Sequence, residues 1–218
     1  MFGLRYGAAI SIRAISFETR LRQTEYPSRL SRSFSIHAPA NGNFRRSTMK
    51  ELIIGGSRSG KSRLAEQHAL ACGLPVTYIA TATAGDEEMA TRILEHQSRR
   101  PAEWALVEEP LRLADALQHH AAQECCLLVD CLTLWLSNLV CGGEAARLDE
   151  ERNRFLKVLP ELPGHIILVA SEVGMGIVPM GELSRRFSDE AGWLNQSVAS
   201  ICDEVTLTVA GLPYPLKR

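Results

Sequence analysis

The chain has 218 residues, of which 45% are hydrophobic and 22% charged, with a formal net charge of −1. That length and apolar content suit one soluble globular domain with a sizeable core, and exclude a disordered or fibrous chain. No apolar run approaches the roughly 20 residues that span a bilayer.

Residues 1–48 differ from the rest. They hold eight Arg, no Lys and only two acids, Glu18 and Glu25, in a Ser-rich background without clear periodicity. Setting them aside leaves 16 basic and 23 acidic residues from Met49 on, a net of −7 against −1 for the whole. An acidic remainder excludes a general nucleic-acid-binding surface. The first 48 residues read either as an organellar transit peptide, from their Arg-rich and acid-poor composition, or as a start-site artefact ahead of Met49. The artefact is preferred, because Met49 stands where a compact domain of this kind would begin. On either reading 1–48 is expected to be a disordered extension and 49–218 the catalytic domain.

The first strand-like run, 51–54, leads directly into Gly55-Gly56-Ser57-Arg58-Ser59-Gly60-Lys61-Ser62. This is Gly-x-x-x-x-Gly-Lys-Ser, the phosphate-cradling loop. Its glycines let the backbone aim N–H groups at phosphate oxygens, Lys61 reaches the β- and γ-phosphates, and the Ser62 hydroxyl suits Mg²⁺. A helix expected over 61–72 adds the positive end of its dipole beneath the same anion. A plain Gly/Ser turn between strand and helix is the bland alternative, and the complete pattern outweighs it. The chain is expected to bind a nucleoside triphosphate.

Further apolar runs at 76–80, 104–108, 126–130, 165–170 and 204–209 alternate with helical stretches at 86–99, 111–122, 132–140, 145–159 and 181–200. Continuous apolar strands separated by helices predict an α/β fold, a mostly parallel sheet covered on both faces. Ligands of such sheets bind beyond the carboxyl ends of the strands, which selects the loops after 54, 80, 130 and 170.

The stretch 86–99 opens with acids and closes with bases, as the helix macrodipole favours. Arg92, His96 and Arg100 recur every four residues and so share one face. Spacing alone is satisfied by a solvated helix surface. A catalytic role needs an imidazole neutral near pH 7, whose lone pair attacks phosphorus while flanking arginines bind the phosphate.

Glu108 and Glu109 end a strand, where they can meet a ribose or guanine or form a helix N-terminal acid pair. Asp130 closes the apolar run Leu127-Leu128-Val129. In phosphate-loop enzymes such an Asp holds the metal opposite the loop serine; a helix cap is the alternative. Thr133 and Asn138 follow on the next helix, where capping or exposure would explain them. The segment 172–179, with two glycines and a proline, reads as a shaped substrate wall or an ordinary turn. His68, His119 and His120 show no partner pattern and read as surface or cap residues. The six cysteines (72, 125, 126, 131, 141, 202) have no paired metal-ligand spacing and read as reduced core thiols in a reducing compartment.

Several segments together resemble one family. They are Gly55–Ser62, Tyr78-Ile-Ala-Thr-Ala82, Asp86-x-Glu88-Met89, Arg92-Ile-x-x-His96, Val129-Asp-Cys-Leu-Thr-Leu-Trp-Leu-Ser-Asn138 and Glu172-Val-Gly-Met-Gly-Ile-Val-Pro179, followed by Arg186-Phe187, Asp189, Gly192 and Asn195-Gln196. The chain resembles the bifunctional adenosylcobinamide kinase / adenosylcobinamide-phosphate guanylyltransferases of cobalamin biosynthesis, over 50–218 and not over 1–48. The resemblance implies a RecA-like P-loop domain that phosphorylates the aminopropanol hydroxyl of adenosylcobinamide with ATP or GTP. GMP from GTP is then transferred to adenosylcobinamide phosphate, giving adenosylcobinamide-GDP and pyrophosphate, with GMP carried covalently on His96. Nucleotide contacts are implied for Gly55–Ser62, for Gln97, Ser98, Arg99 and Arg100, and for Glu108 and Asp130. Lys61 is expected to act with His96 in catalysis, and Ser62 and Asp130 to hold Mg²⁺. A cytoplasmic homotrimer is expected, with neither a nucleic-acid partner nor a membrane span.

The chain departs from its relatives at Ser188, commonly Arg, at Trp193, commonly polar, and at Glu95, which is His in some. The register of the nucleophile therefore rests on Arg92-Ile-x-x-His96. A single-activity P-loop small-molecule kinase is the competing enzyme reading. A GTPase-like switch is disfavoured because no Asn-Lys-x-Asp motif occurs.

Overall fold

The computed structural model describes residues 48–218 except 84, 86, 143 and 144; for 88, 89, 92, 95, 96, 99, 145 and 146 it describes the backbone alone. The expectations for the amino-terminal extension fall on 1–47 and lie outside the described residues, as does the side chain of His96.

Seven strands form one sheet: β1 (Thr48–Gly55), β2 (Val76–Ala80), β3 (Ala105–Glu108), β4 (Cys126–Asp130), β5 (Gly164–Ser171), β6 (Glu204–Val209) and β7 (Leu212–Lys217). Their order is β3-β2-β4-β5-β1-β6-β7. Every pairing is parallel except β6 with β7. The helices are α1 (Lys61–Ala71), α2 (Glu87–Arg99), α3 (Leu113–His120), α4 (Leu132–Cys141), α5 (Ala145–Val158) and α6 (Glu182–Ile201). The α/β architecture expected from the sequence is thus the one observed, a mostly parallel sheet with helices on both faces and a phosphate loop after its first strand.

Side chains alternate across each strand, and the two faces have separate cores. Leu52, Ile79, Leu127, Val129, Ile166, Leu168 and Ala170 point to one face, where α3, α4, α5 and α6 pack. Ile53, Val76, Tyr78, Cys126, Leu128, Ile167 and Val169 point to the other, where Leu64, Ala65 and Ala69 of α1 cover them. A strand buried on both sides must be apolar at every position, which is why these runs read as continuous rather than alternating. Trp135 and Phe155, both fully buried, meet edge to face with ring centroids 5.3 Å apart and anchor the thicker layer.

Three local differences from the sequence reading have physical causes. First, α3 starts at Leu113 rather than 111, because the Glu109 carboxylate accepts hydrogen bonds from Leu111 N at 2.9 Å and Arg112 N at 2.8 Å, holding both outside the helix. Second, β7 was not expected. Pro213 and Pro215 hide it in the sequence, yet an edge strand tolerates residues without an N–H donor. Third, β7 doubles back on β6 through Ala210 (φ 52°) and Gly211 (φ 79°), a two-residue turn with both residues left-handed.

Candidate active site

Strand register brings the expected ligand-side residues to one edge. Gly55 is aligned with Ser171 on β5 and with Thr208 on β6, and Ala80 with both Glu108 on β3 and Asp130 on β4. Because these strands are parallel, their carboxyl ends form a single rim.

The phosphate loop spans from the end of β1 to the first turn of α1. Gly60 sits at its hinge with φ 96°, a left-handed conformation that L side chains rarely adopt. Gly55 is required for a different reason: a Cβ there would lie 2.5 Å from the backbone oxygen of Thr208 and 2.5 Å from Ser59 Oγ. Ser59 N donates to Gly56 O at 3.2 Å, and Lys61 Nζ folds back to Gly56 O at 3.2 Å. The β6–β7 turn supports the loop from outside, with Gly211 N donating to Ser59 O at 2.8 Å. Gly56, Ser57 and Arg58 are exposed, while Lys61 and Ser62 are half-buried at the start of α1.

Two strands away, Asp130 closes β4 half-buried and accepts a hydrogen bond from Tyr78 OH at 3.1 Å. Burial, reinforced by the Asp130 charge, pushes the Tyr78 phenol upward, so it stays a protonated donor. The Arg100 guanidinium lies 4.3 Å from the centroid of the Tyr78 ring, in cation–π distance. The turn that ends α2 is therefore tied through Tyr78 to Asp130. Burial, with Asp130 beside it, also raises the neighbouring Cys131 thiol to about 11.

A polar latch holds this rim. Thr81 Oγ1 donates to Cys131 O at 2.7 Å and accepts from Cys131 N at 2.9 Å. Asn138 Nδ2 donates to Thr81 O at 2.8 Å and Pro110 O at 3.1 Å, so α4 fixes the segments after β2 and β3 together. Thr133 Oγ1 accepts from Ser171 N at 2.6 Å, and Glu172 N donates to Gly55 O at 3.0 Å. A rim that orients phosphate donors on one loop and holds a carboxylate on a nearby strand end can bind a nucleotide tail and offset its charge.

Residues 51–216 match the family described as cobinamide kinase / cobinamide phosphate guanyltransferase. The chain belongs to this family. The bifunctional adenosylcobalamin biosynthesis protein CobP of Pseudomonas aeruginosa is 62% identical over 169 residues, covering 78% of this chain and 98% of that protein. The CobU protein of the same description from Salmonella typhimurium is 39% identical over 183 residues, covering 78% of this chain and 100% of its own. Among solved structures, a RadB recombinase aligns with 73% of each chain at a TM-score of 0.44 and 18% identity, a distance at which it adds nothing to the fold described above. Membership makes the chain an enzyme of the class its sequence indicated, a kinase paired with a guanylyltransferase in cobalamin biosynthesis.

In this cobinamide kinase / guanyltransferase chain, the structure gathers Gly55–Ser62, Asp130 and Arg100 around one rim. Glu108 stands exposed at the end of the edge strand β3, in register with Ala80. Gln97 is half-buried and Ser98 exposed on the last turn of α2; Arg99 and His96 are placed by their backbone within that helix.

Two sequence expectations need correction. Thr133 and Asn138 are neither caps nor solvated but the latch just described. Their signal was the pairing of small polar residues with a strand-end Asp, which spacing cannot interpret without knowing what packs above. His68 is not partnerless: its Nδ1 lies 2.5 Å from Glu51 Oε1. Glu51 is 1% exposed in the middle of β1, and nothing in a strand pattern foretells which helix turn it will meet.

Proposed function

We propose that the chain phosphorylates adenosylcobinamide with ATP or GTP, then moves GMP from GTP onto the phosphorylated product through a covalent GMP–His96 intermediate. The observation that carries this reading is the seating of α2. Arg100 stacks on Tyr78, and Tyr78 bonds Asp130, so the helix bearing position 96 is fastened to the rim that holds the phosphate loop.

In the kinase step the substrate hydroxyl attacks the γ-phosphorus and the bond to the β,γ-bridging oxygen breaks. Backbone N–H groups of Gly56–Gly60 and the Lys61 ammonium offset the charge left on the departing diphosphate. In the transfer step a neutral His96 imidazole attacks the α-phosphorus of GTP, and pyrophosphate departs into the same donors. An oxygen of the substrate phosphate then attacks the α-phosphorus and releases the imidazole. One anion cradle serves two attack points because phosphoryl-type transfer depends mainly on positioning and charge stabilisation. Ser62 and Asp130 offer a hydroxyl and a carboxylate, hard oxygen donors that suit Mg²⁺. When bound, the ion would neutralise phosphate charge. Nucleotide contacts from Gln97, Ser98, Arg99 and Glu108 belong to the same proposal.

A homotrimer is also proposed. Ile177 (98% exposed) and Met180 (96% exposed) leave apolar surface uncovered beside the rim, which supports burial by another copy. Six free cysteines support a cytoplasmic, reducing location. Among the described residues no helix is long and apolar enough to cross a membrane.

Incubation with α-labelled GTP and no corrinoid tests the central step. The expected result is an acid-labile, base-stable protein adduct and exchange of pyrophosphate into GTP. His96→Ala should lose both while retaining cobinamide phosphorylation. Undiminished exchange in that variant would remove His96 from the mechanism and leave an ordinary kinase.

A further inference from the structure

At the amino-terminal ends of the central strands, away from the phosphate loop, three elements converge. Cys126 begins β4 and is aligned with His165 on β5, while Cys72 follows the last turn of α1. The two thiol sulfurs and a ring nitrogen of His165 all lie within 4.8 Å of one another. Cys126 is fully buried and His165 is 8% exposed, so neither faces bulk water. His165 Nε2 is buried without a hydrogen-bond partner among the described residues, an arrangement that costs free energy unless something else fills it.

A carboxylate stands beside His165, outside that group of three. Glu51 Oε2 is 3.7 Å from His165 Nε2, and Glu51 Oε1 is held by His68 Nδ1 at 2.5 Å. We propose that Cys72, Cys126 and His165, with Glu51 as fourth donor, form a binding site for a zinc-class divalent ion.

Donor chemistry selects the ion. Two thiols and an imidazole match a borderline-soft tetrahedral metal and reject Mg²⁺, which requires hard oxygen ligands. Tetrahedral zinc bonds of about 2.0–2.3 Å place ligand atoms about 3.3–3.8 Å apart, so the two sulfurs and the His165 nitrogen, within 4.8 Å of one another, need to close by up to about 1.5 Å, and Glu51 has to swing further in. The net charge is small: a divalent ion with two thiolates and one carboxylate carries −1, and His68 holds the outer carboxylate oxygen. His68 then plays the orienting part that outer partners of metal ligands commonly play.

Position gives the site its role. The 11 residues of α1 extend about 16 Å from Lys61 to the Cys72 end, so the ion would pin the foot of the helix whose head holds the phosphate loop. It is far from the transferred phosphates and contributes to stability rather than turnover.

The test uses the untagged full-length chain, reduced and stripped of metal, titrated with Co²⁺ and then Zn²⁺. Expected are one equivalent of Co²⁺, a thiolate-to-cobalt charge-transfer band with tetrahedral visible bands, loss of both on adding Zn²⁺, and a higher Tm with Zn²⁺. Cys72→Ser and His165→Gln should abolish the band, His68→Gln should weaken binding by about tenfold, and Cys141→Ser should leave it intact. Retained nucleotide binding in Cys72→Ser, whose side chain is half-exposed, shows that its loss of the band is not loss of fold. No charge-transfer band in the reduced wild-type chain overturns the proposal. So does a band unchanged in Cys72→Ser.

Discussion

Tyr78 donates its hydroxyl to Asp130 across neighbouring strands at 3.1 Å while its ring carries the Arg100 guanidinium. One side chain thus orients the carboxylate opposite the phosphate loop and seats the end of α2. Tyr78→Phe keeps the ring and removes the hydroxyl. A hydrogen bond to a charged group contributes about 1.5–3 kcal/mol, which at a transition state corresponds to roughly ten- to a hundredfold in rate. The kinase kcat is expected to fall within that range. Tyr78→Leu should in addition raise the nucleotide KM, because Arg100 loses its platform. Steady-state kinetics of both variants decide it, and equal behaviour of Phe and Leu would separate Arg100 from the nucleotide.

Lys61→Ala probes whether one cradle serves both reactions. Loss of a preorganised cationic donor is expected to lower phosphorylation and pyrophosphate exchange each by about a hundredfold or more. Wild-type rates in either assay would mean that the corresponding step does not use this loop.

Gly55 at the end of β1 and Gly73 just after α1 should fail differently. In Gly55→Ala the new methyl would sit 2.5 Å from the Thr208 backbone oxygen, so β6 or the loop must move. A loss of about 1–3 kcal/mol in stability and of nucleotide binding is expected. At Gly73 (φ 70°) nothing lies within 4 Å of an added Cβ, so Gly73→Ala strains only the backbone, costing about 1–2 kcal/mol. Its nucleotide affinity should match wild type. Denaturant unfolding with and without GTP distinguishes the two, and intact GTP binding in Gly55→Ala would refute the close-packed loop.

Thiol reactivity should follow burial. Desolvation raises the Cys131 thiol to about 11 and Cys202 to about 12, while Cys141 is exposed. Since a raised pKa disfavours the reactive thiolate, Cys131 holds about one part in a thousand as thiolate at pH 8. Peptide mapping after brief iodoacetamide treatment at pH 8 should show Cys141 modified first, with Cys131 and Cys202 protected until the chain unfolds. Cys131 labelled as fast as Cys141 would contradict the packing around β4.

Much of the active rim was legible because its signals are local. Gly55 through Ser62 specify a turn and its donors within eight consecutive residues, and the apolar runs alternate with helical ones at lengths that admit little but a parallel sheet. Asp130 was placed by the rule that ligands gather at strand carboxyl ends, and Glu108 by the family resemblance. Asn138 and Thr133 were not, since their partners at Thr81, Pro110 and Ser171 lie 28 to 57 residues away and depend on how α4 packs.

The sequence by itself determined the phosphate loop, the parallel α/β layering and the family, all of which are written in contiguous spacing and composition. Only the tertiary structure decided that Arg100 rests on Tyr78, that the β6–β7 turn buttresses Ser59, and that Cys72, Cys126 and His165 meet at the opposite strand ends with Glu51 beside His165. Those contacts join segments distant along the chain. Strand order and helix seating bring them together, and neither is encoded in any one window of residues.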